Sequence, residues 1–584
     1  MIWDFLNEKL AEAFAAAGYG DVPAVAERSR RPEAGQFQCN TAMTLAKAAK
    51  QAPVAIAGNV AAKLGFPFDR VAVAGPGFIN FSLADEFLAA ETGALLEDPR
   101  HRFPVVTPRR IMMDFGGPNV AKRMHVGHLR SSIIGDALQR CSRFLGHDVI
   151  SDVHLGDWGL PMGMLIAEIR RRQPELPYFA PGGPDGPVDD GITVDLLNRM
   201  YPEAASRCKA EPEALEEAKQ ATTALQTGDP GLRALWRRMV DVSVDAVRAD
   251  EGLLGVHFDL WEGESDVRDR LDSMVERLTK TGVAEHSAGA VVVPVEREDD
   301  AEPVPPLMLV KGDGSVTYGT TDVATIEHRV ETYDPDSIWY VVDARQRLHF
   351  VQVFRTAERA GMLKEGRPVL EHLGFGTMNG PDGKPFKTRA GEVMSLRTLL
   401  EMTIDEAAQR IGEINLAADL TAQERETIAR RIGLAAIKFA DLRNHRASDY
   451  VFDLAQFSSF EGKTGPYLCY SVVRARSIFA KAAAAGVEAG PLVPPTTAEE
   501  RDLSLRLLDF GRAVLSTWER RAPNVLCEHA FDLAQSFNAF YHTQHILTEA
   551  DPARRGSLLT LTRIVHDQMV LALGILGIEA PERM

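Results

Sequence analysis

The stretch 111–144, IMMDFGGPNVAKRMHVGHLRSSIIGDALQRCSRF, constrains what this chain can fold into more than any other. It opens on an apolar run, IMMDF, of strand length. Gly116, Gly117 and Pro118 then break regular structure. After HVGH (125–128), residues Leu129, Ile133, Ile134, Ala137, Leu138 and Cys141 recur at helical spacing, and Gly146 marks the stop. The pattern is strand, loop, helix, with two histidines at the helix entrance.

The first turn of a helix leaves backbone N–H groups unpaired and carries the positive end of the macrodipole, so it suits a phosphate. His125 and His128 stand at i and i+3, share a face, and can aim ring donors at one anion. Gly127 has no side chain, which lets a base or ribose approach the backbone. Lys122 adds a mobile positive charge just upstream. The alternative is an ordinary capped helix start that happens to carry two histidines. A zinc pair is the weaker reading, because no third and fourth ligand stand at metal spacing; no structural metal is expected.

Composition narrows the class. The 584 residues, 45% hydrophobic and 25% charged, are those of a soluble protein with several cores. No uninterrupted apolar run is long enough to span a bilayer, and the N-terminus carries acids without a basic leader. Five cysteines lie far apart with no CxxC, which favours a reducing, cytoplasmic setting and no membrane partner. The net charge of −17 does not exclude a nucleic-acid partner, since binding needs only a local basic face. Residues 430–481 hold nine Lys or Arg against four Asp or Glu.

Read in order, the chain suggests three domains. Residues 1–105 form an α+β module: an N-terminal helix, two further helices in TAMTLAKAAK and VAIAGNVAAKL, and two apolar runs around Gly75-Pro76-Gly77. Residues 106–400 alternate strands and helices, implying an α/β doubly wound, Rossmann-like core. A proline- and glycine-rich loop at 174–191 opens a mostly helical insertion, about 175–300, closed by a flexible acidic segment. SIWYVVDA and HLGFGTMN are strand-like and are expected beside the first strand. From residue 401 to 584, long amphipathic segments predict an all-α bundle.

PNVAKRMHVGHLRSSIIGDAL resembles the HIGH region of class I aminoacyl-tRNA synthetases, in the form used by arginyl-tRNA synthetases. The flanking PNxAK and HLRS are more specific than HxGH itself. KPFKT (384–388) stands in the place of the KMSKS loop and departs from it at the second, third and last residues. GPGFINF resembles the family's N-terminal appended domain, which touches the outer corner of the tRNA. DLRNHRASDYVFD (441–453) and the terminal PERM resemble its α-helical anticodon-binding domain.

The resemblance implies ATP (as its Mg2+ complex), L-arginine and the arginine tRNA as substrates, and a monomer as the working form. Catalysis by positioning and charge stabilisation at the phosphates would fall to His125, Gly127, His128, Lys122, Lys384 and Lys387. A guanidinium pairs best with carboxylates in a fork. Asp114 sits at the C-terminal end of the first strand, and Tyr318 and Asp322 share a face if VTYGTTDVA begins a helix. The resemblance adds Asn119, His128 and Gln346 as arginine contacts, with a backbone contact at Gly117, where the family usually has Ser. Arg443, Arg446 and Arg474, interleaved with Tyr450, Tyr467 and Tyr470, would make a charge-and-stacking surface for splayed tRNA bases. The rival readings are another class I synthetase and a synthetase-like RNA-binding protein without activity.

Overall fold

Arg110–Phe115 becomes an inner strand of a four-stranded parallel sheet, ordered Val369–His372, Ser337–Val341, Arg110–Phe115, Asp148–Asp152 in the computed structural model. Ile111, Met112, Met113, Ile338, Trp339 and Val341 are all inaccessible to solvent, because helices cover both faces. This is why the strands read as continuous apolar runs rather than alternating ones. The structure describes every residue except 1, 30, 99, 102, 104–105, 185, 187, 381–382, 384–393 and 414–419.

The helix Val126–Phe144 leads from the Arg110–Phe115 strand to Asp148–Asp152 on one side. The helix Arg347–Arg359 leads from Ser337–Val341 to Val369–His372 on the other. The strand order therefore reverses between the two central strands, and the crevice at their C-terminal ends is where such a sheet binds ligands. Asp114 lies in register with Tyr340 and Asp152 there. Two cores flank the sheet. One packs Met112, Ile338, Tyr340, Phe350 and Val353 against Leu271 and Met274. The other joins Val120, Ala121 and Val153 to the insertion's Leu165, Leu235 and Met239.

The strand expectations hold for IMMDF and SIWYV, and three features differ from the sequence reading. HLGFGTMN does not lie beside the first strand: the sheet strand is Val369–His372, and Met378–Asn379 pairs instead with Tyr450–Val451. Glycine permits this departure. A Cβ at Gly374 would press on Ala344, and one at Gly376 would come within 2.5 Å of the Asp449 carboxylate. After the helices Val194–Ala210, Pro212–Thr227, Pro230–Leu254 and Arg268–Lys280, a small antiparallel sheet forms, with the acidic 296–302 segment in the irregular stretch between its last two strands. Its strands are Glu285–Ser287, Ala290–Val293 and Leu307–Val310, nucleated by VVVPV, whose Val293 and Val295 are buried.

The third difference is the grouping. Residues 107–459, with 575–578, form one compact unit, and residues 1–106, 460–574 and 579–584 form the other. The helices Leu396–Glu413 and Ala422–Leu442 thus pack with the nucleotide fold, so the boundary falls near 459 rather than 400. In the second unit the α+β module does not stand apart. Its sheet, ordered Ala26–Arg28, Phe37–Cys39, Phe78–Leu83, Phe68–Ala74, is antiparallel. Trp3 Nε1 donates to Asp509 Oδ1 at 2.8 Å, and Arg28 Nη2 to Asp509 Oδ2 at 2.8 Å, joining it to the helical segments. Among the described residues one helix, Pro552–Ile575, is long and apolar enough by length and composition to cross a membrane. Two-thirds of that window is buried among its neighbours, as in the core helix of a bundle.

Candidate active site

His125 is the N-cap of the Val126–Phe144 helix, and it forms a reciprocal cap with His128. His125 Nδ1 accepts from the Gly127 N–H at 3.0 Å, and His128 Nδ1 accepts from the His125 N–H at 3.1 Å. An Nδ1 that accepts a hydrogen bond carries no proton, so in each neutral ring the proton is on Nε2. Burial lowers the pKa of both: for His128 to about 3, with His125 adding to the effect, and for His125 with help from Lys122. Both rings are therefore neutral Nε2–H donors at physiological pH, tilted against each other with centroids 4.0 Å apart at the positive end of a helix. A single device caps the helix and sets the tautomers.

Gly127 has a different reason from the expected one. A Cβ there would lie 2.8 Å from His125 Cε1, so glycine makes room for the neighbouring ring rather than for a ligand. At Gly117, a Cβ would meet the His154 carbonyl at 2.7 Å, so this chain has no space for the serine usual in the family. Lys122 holds its ammonium 4.3 Å above the Tyr201 ring of the insertion, and burial lowers its pKa. Asn119 is exposed and bridges to Gly156, lying over it so closely that a Cβ at 156 would be 2.2 Å from its Oδ1. Lys384 and Lys387 lie outside the described residues.

The helix Tyr318–Tyr333 begins at Tyr318 as expected, and it places Tyr318 and Asp322 on one face. What they share is His349, which the sequence reading did not single out. His349 Nε2 lies 2.5 Å from Asp322 Oδ2, and its ring lies 4.8 Å from that of Tyr318. The Asp322 side chain is partly exposed, and Tyr318 is 69% exposed. Gln346 is exposed on the short Ala344–Gln346 turn that follows the Ser337–Val341 strand. Glu264 is a further acid that sequence reasoning missed. Burial raises its pKa to about 7, His154 opposes the shift, and Asp322 and Asp157 add to it. Glu264 thus lies within electrostatic reach of two other carboxylates and of His154.

Asp114 has a partner on this side. Its Oδ2 lies 2.7 Å from Nη1 of Arg329, whose Nη2 donates to Asp152 Oδ2 at 2.6 Å. Asp114, Asp152 and His154 bring ligand atoms within 4.8 Å of one another, a grouping that resembles a metal site, but the cation among them is the buried Arg329 guanidinium. Burial opposes a charged His154, but Asp152 outweighs it and holds the ring's pKa at about 9. Asp114 therefore pairs with the chain's own Arg329 through Oδ2 at the C-terminal end of its strand.

The predicted RNA surface divides. Tyr450 is buried, its backbone in the strand pair with Met378–Asn379; Arg446 Nη1 donates to the Gly374 carbonyl at 2.7 Å; Arg443 sits 5.1 Å over Phe457. These three belong to the catalytic unit, where Arg446 and the Tyr450 main chain brace its backbone and Arg443 packs on an aromatic ring. Tyr467 and Arg474 lie in the other unit. There Asn538, which the sequence reading missed, donates to the Tyr467 hydroxyl at 2.6 Å and accepts from Arg474. Arg474 lies 4.9 Å from the Tyr470 ring and 5.1 Å from that of Tyr541. This Tyr–Arg–Tyr face suits stacking on unpaired bases.

Comparison with known proteins places the class first. The description "tRNA synthetases class I (R), catalytic domain" matches residues 92–454, which hold the sheet, the histidine cap and the Tyr318/Asp322 face. The "Arginyl tRNA synthetase N terminal domain" matches residues 4–83 and the "DALR anticodon binding domain" residues 468–584. The catalytic unit is that of a class I aminoacyl-tRNA synthetase. The chain is 49% identical over 588 residues to the arginine--tRNA ligase of Maricaulis maris, covering 100% of both chains. It is 47% identical to that of Hyphomonas neptunium, covering 99% of each. The arginyl-tRNA synthetase of Thermus thermophilus superposes with a TM-score of 0.80 at 25% identity, covering 100% of both chains. That of Plasmodium falciparum superposes at 0.79 with 23% identity, covering 100% of this chain and 99% of the other. The chain belongs to the arginyl-tRNA synthetase family.

Proposed function

We propose that this chain joins L-arginine to its tRNA through arginyl-adenylate, as a cytoplasmic monomer. ATP enters as its Mg2+ complex. The arginine carboxylate attacks the α-phosphate, and pyrophosphate leaves. No enzymic nucleophile is needed, so the protein's work is positioning and charge stabilisation. His125 and His128 donate Nε2–H bonds to the phosphates, and Lys122, Lys384 and Lys387 supply positive charge. Asp322, oriented by His349, and Glu264 receive the guanidinium, with Tyr318 packed on its plane. Asn119, Gln346 and the Gly117 backbone hold the amino-acid end. The Tyr467–Arg474 face, extended by Asn538 and Tyr541, meets the anticodon arm.

The observation that carries this reading is the reciprocal cap: two neutral rings, each with its proton on Nε2, at a helix N-terminus beside the sheet's switch point. The test is an aminoacylation screen of all twenty amino acids with total tRNA, run beside arginine-dependent pyrophosphate exchange. Only arginine should be charged, and exchange should be weak until tRNA is added. Charging of another amino acid would overturn the substrate assignment. Binding of tRNA without any exchange would favour an inactive RNA-binding relative.

A further inference from the structure

Arg130 lies one turn into the helix that His125 caps, and it is 2% exposed. Its guanidinium is used as a fork across elements far apart in sequence. Nε donates to Asp441 Oδ2 at 3.0 Å, and Nη1 donates to the Ser448 carbonyl at 2.9 Å. The same guanidinium lies 5.2 Å from the Tyr450 ring and 5.9 Å from that of Phe375. Asp441 is fully buried at the end of the Ala422–Leu442 helix.

The segment that Arg130 grips is in turn stitched to the chain that leaves the sheet after His372. Gly376 N donates to the Arg446 carbonyl at 2.9 Å, Thr377 N to Asp449 Oδ1 at 2.6 Å, and Arg446 Nη1 to the Gly374 carbonyl at 2.7 Å. Tyr450 N then donates to Thr377 O, and Phe452 N to Asn379 O, in the parallel pairing of Met378–Asn379 with Tyr450–Val451. Further along, the chain returns to the histidines themselves. Val126 N donates to Met394 O at 3.1 Å and Leu396 N to Met124 O at 3.0 Å, with His125 bridging Ser395. In sequence, Lys384 and Lys387 fall between these two attachments.

We infer that Arg130, Asp441 and Asp449 are positioning residues for adenylate formation: they fix the histidine-capped helix against the 374–379 segment, so that the His125 and His128 ring donors keep their place and direction. A buried guanidinium with two fixed acceptors resists sliding, because shifting either partner leaves a buried donor unmatched. On this inference, 441–453 acts on ATP rather than on tRNA. It rests on the adenylate-forming function proposed above, and the wild-type exchange assay tests that function separately.

The experiment measures pyrophosphate exchange per titrated active site for Arg130→Lys, Asp449→Ala and Asp449→Asn, with KM for ATP, arginine and tRNA. Lysine keeps the charge but cannot serve both acceptors. It should lower kcat at least about tenfold and raise KM for ATP, leaving KM for arginine and tRNA within about twofold. Asp449 is exposed, so Asp449→Ala should fold normally. It should show the same split at about threefold, while Asp449→Asn, which keeps an acceptor for Thr377 N–H, should match the wild type. If Arg130→Lys does not fold, the two Asp449 variants decide. Unchanged kcat and KM for ATP in Asp449→Ala, or a change confined to KM for tRNA, overturns the inference.

Discussion

At the phosphate end of the cleft, His125 and His128 stand three residues apart and hold each other's backbone. At the arginine end, Asp322, His349 and Glu264 come from three separate stretches of chain. The first group is rigid because it is part of a helix cap, whose geometry is local and repeated in many proteins. The second is assembled across elements, by the Asp322–His349 contact between the Tyr318–Tyr333 and Arg347–Arg359 helices and by the placement of the Glu264–Val267 turn. The phosphate end therefore presents neutral donors of fixed direction. The arginine end presents a buried acid, Glu264, whose pKa burial raises and Asp322 and Asp157 raise further, while His154 opposes the shift. One end is preorganised by hydrogen bonds within a single turn, and the other carries an acid whose charge burial disfavours.

The largest effect should come from the phosphate end. His128→Ala removes a ring donor from the developing charge, and exchange kcat should fall about 100-fold or more, as for the loss of one preorganised donor. The same change removes half of the cap, at about 1 kcal/mol, so thermal unfolding should shift by only a few degrees. Exchange kinetics and a melting curve on one preparation check both. Retention of full activity would break the comparison at its stronger side.

Next comes Asp322→Asn, which keeps the shape and an acceptor but removes the charge. We expect kcat/KM for arginine to fall at least about tenfold, or ~1.4 kcal/mol, with KM for ATP nearly unchanged. Discrimination against citrulline, the uncharged isostere, should weaken. Collapse of ATP binding with arginine kinetics untouched would place Asp322 at the wrong end.

The smallest effect is a pH profile. With its pKa raised to about 7, Glu264 is partly protonated in the free enzyme, whereas a guanidinium prefers it ionised. kcat/KM for arginine should therefore rise several-fold from pH 6 to 8 and level off above the pKa, since the ionised form grows as pH rises. Glu264→Gln should flatten that limb. A limb that persists in the variant assigns it to another group.

Much of the phosphate end was legible in the chain, because a strand, a glycine-rich turn and a capped helix are written in consecutive residues. Even there, the reasons for two residues changed: Gly127 accommodates the His125 ring, and Lys122 rests on Tyr201 from the insertion. At the arginine end, Tyr318 and Asp322 were legible as an i, i+4 pair. His349 and Glu264 were not, since nothing local marks a histidine or glutamate that reaches the cleft only after folding. Asp114 read as a free acid at a strand end, and only tertiary packing supplied Arg329 to neutralise it. Tyr450 and Arg446 read as an RNA surface because alternating basic and aromatic residues look the same whether they face solvent or brace a strand pair.

What the sequence by itself determined is the strand–loop–helix unit, the alternation that makes a parallel sheet, and the family, all of which depend on the order of neighbours along the chain. What only the tertiary structure decided is which charges are already paired, where the compact units divide, and which distant acids share a cleft. Those depend on burial and on distances of a few ångströms between segments tens to hundreds of residues apart, and the electrostatics of a carboxylate changes sign of effect with whether a guanidinium stands beside it.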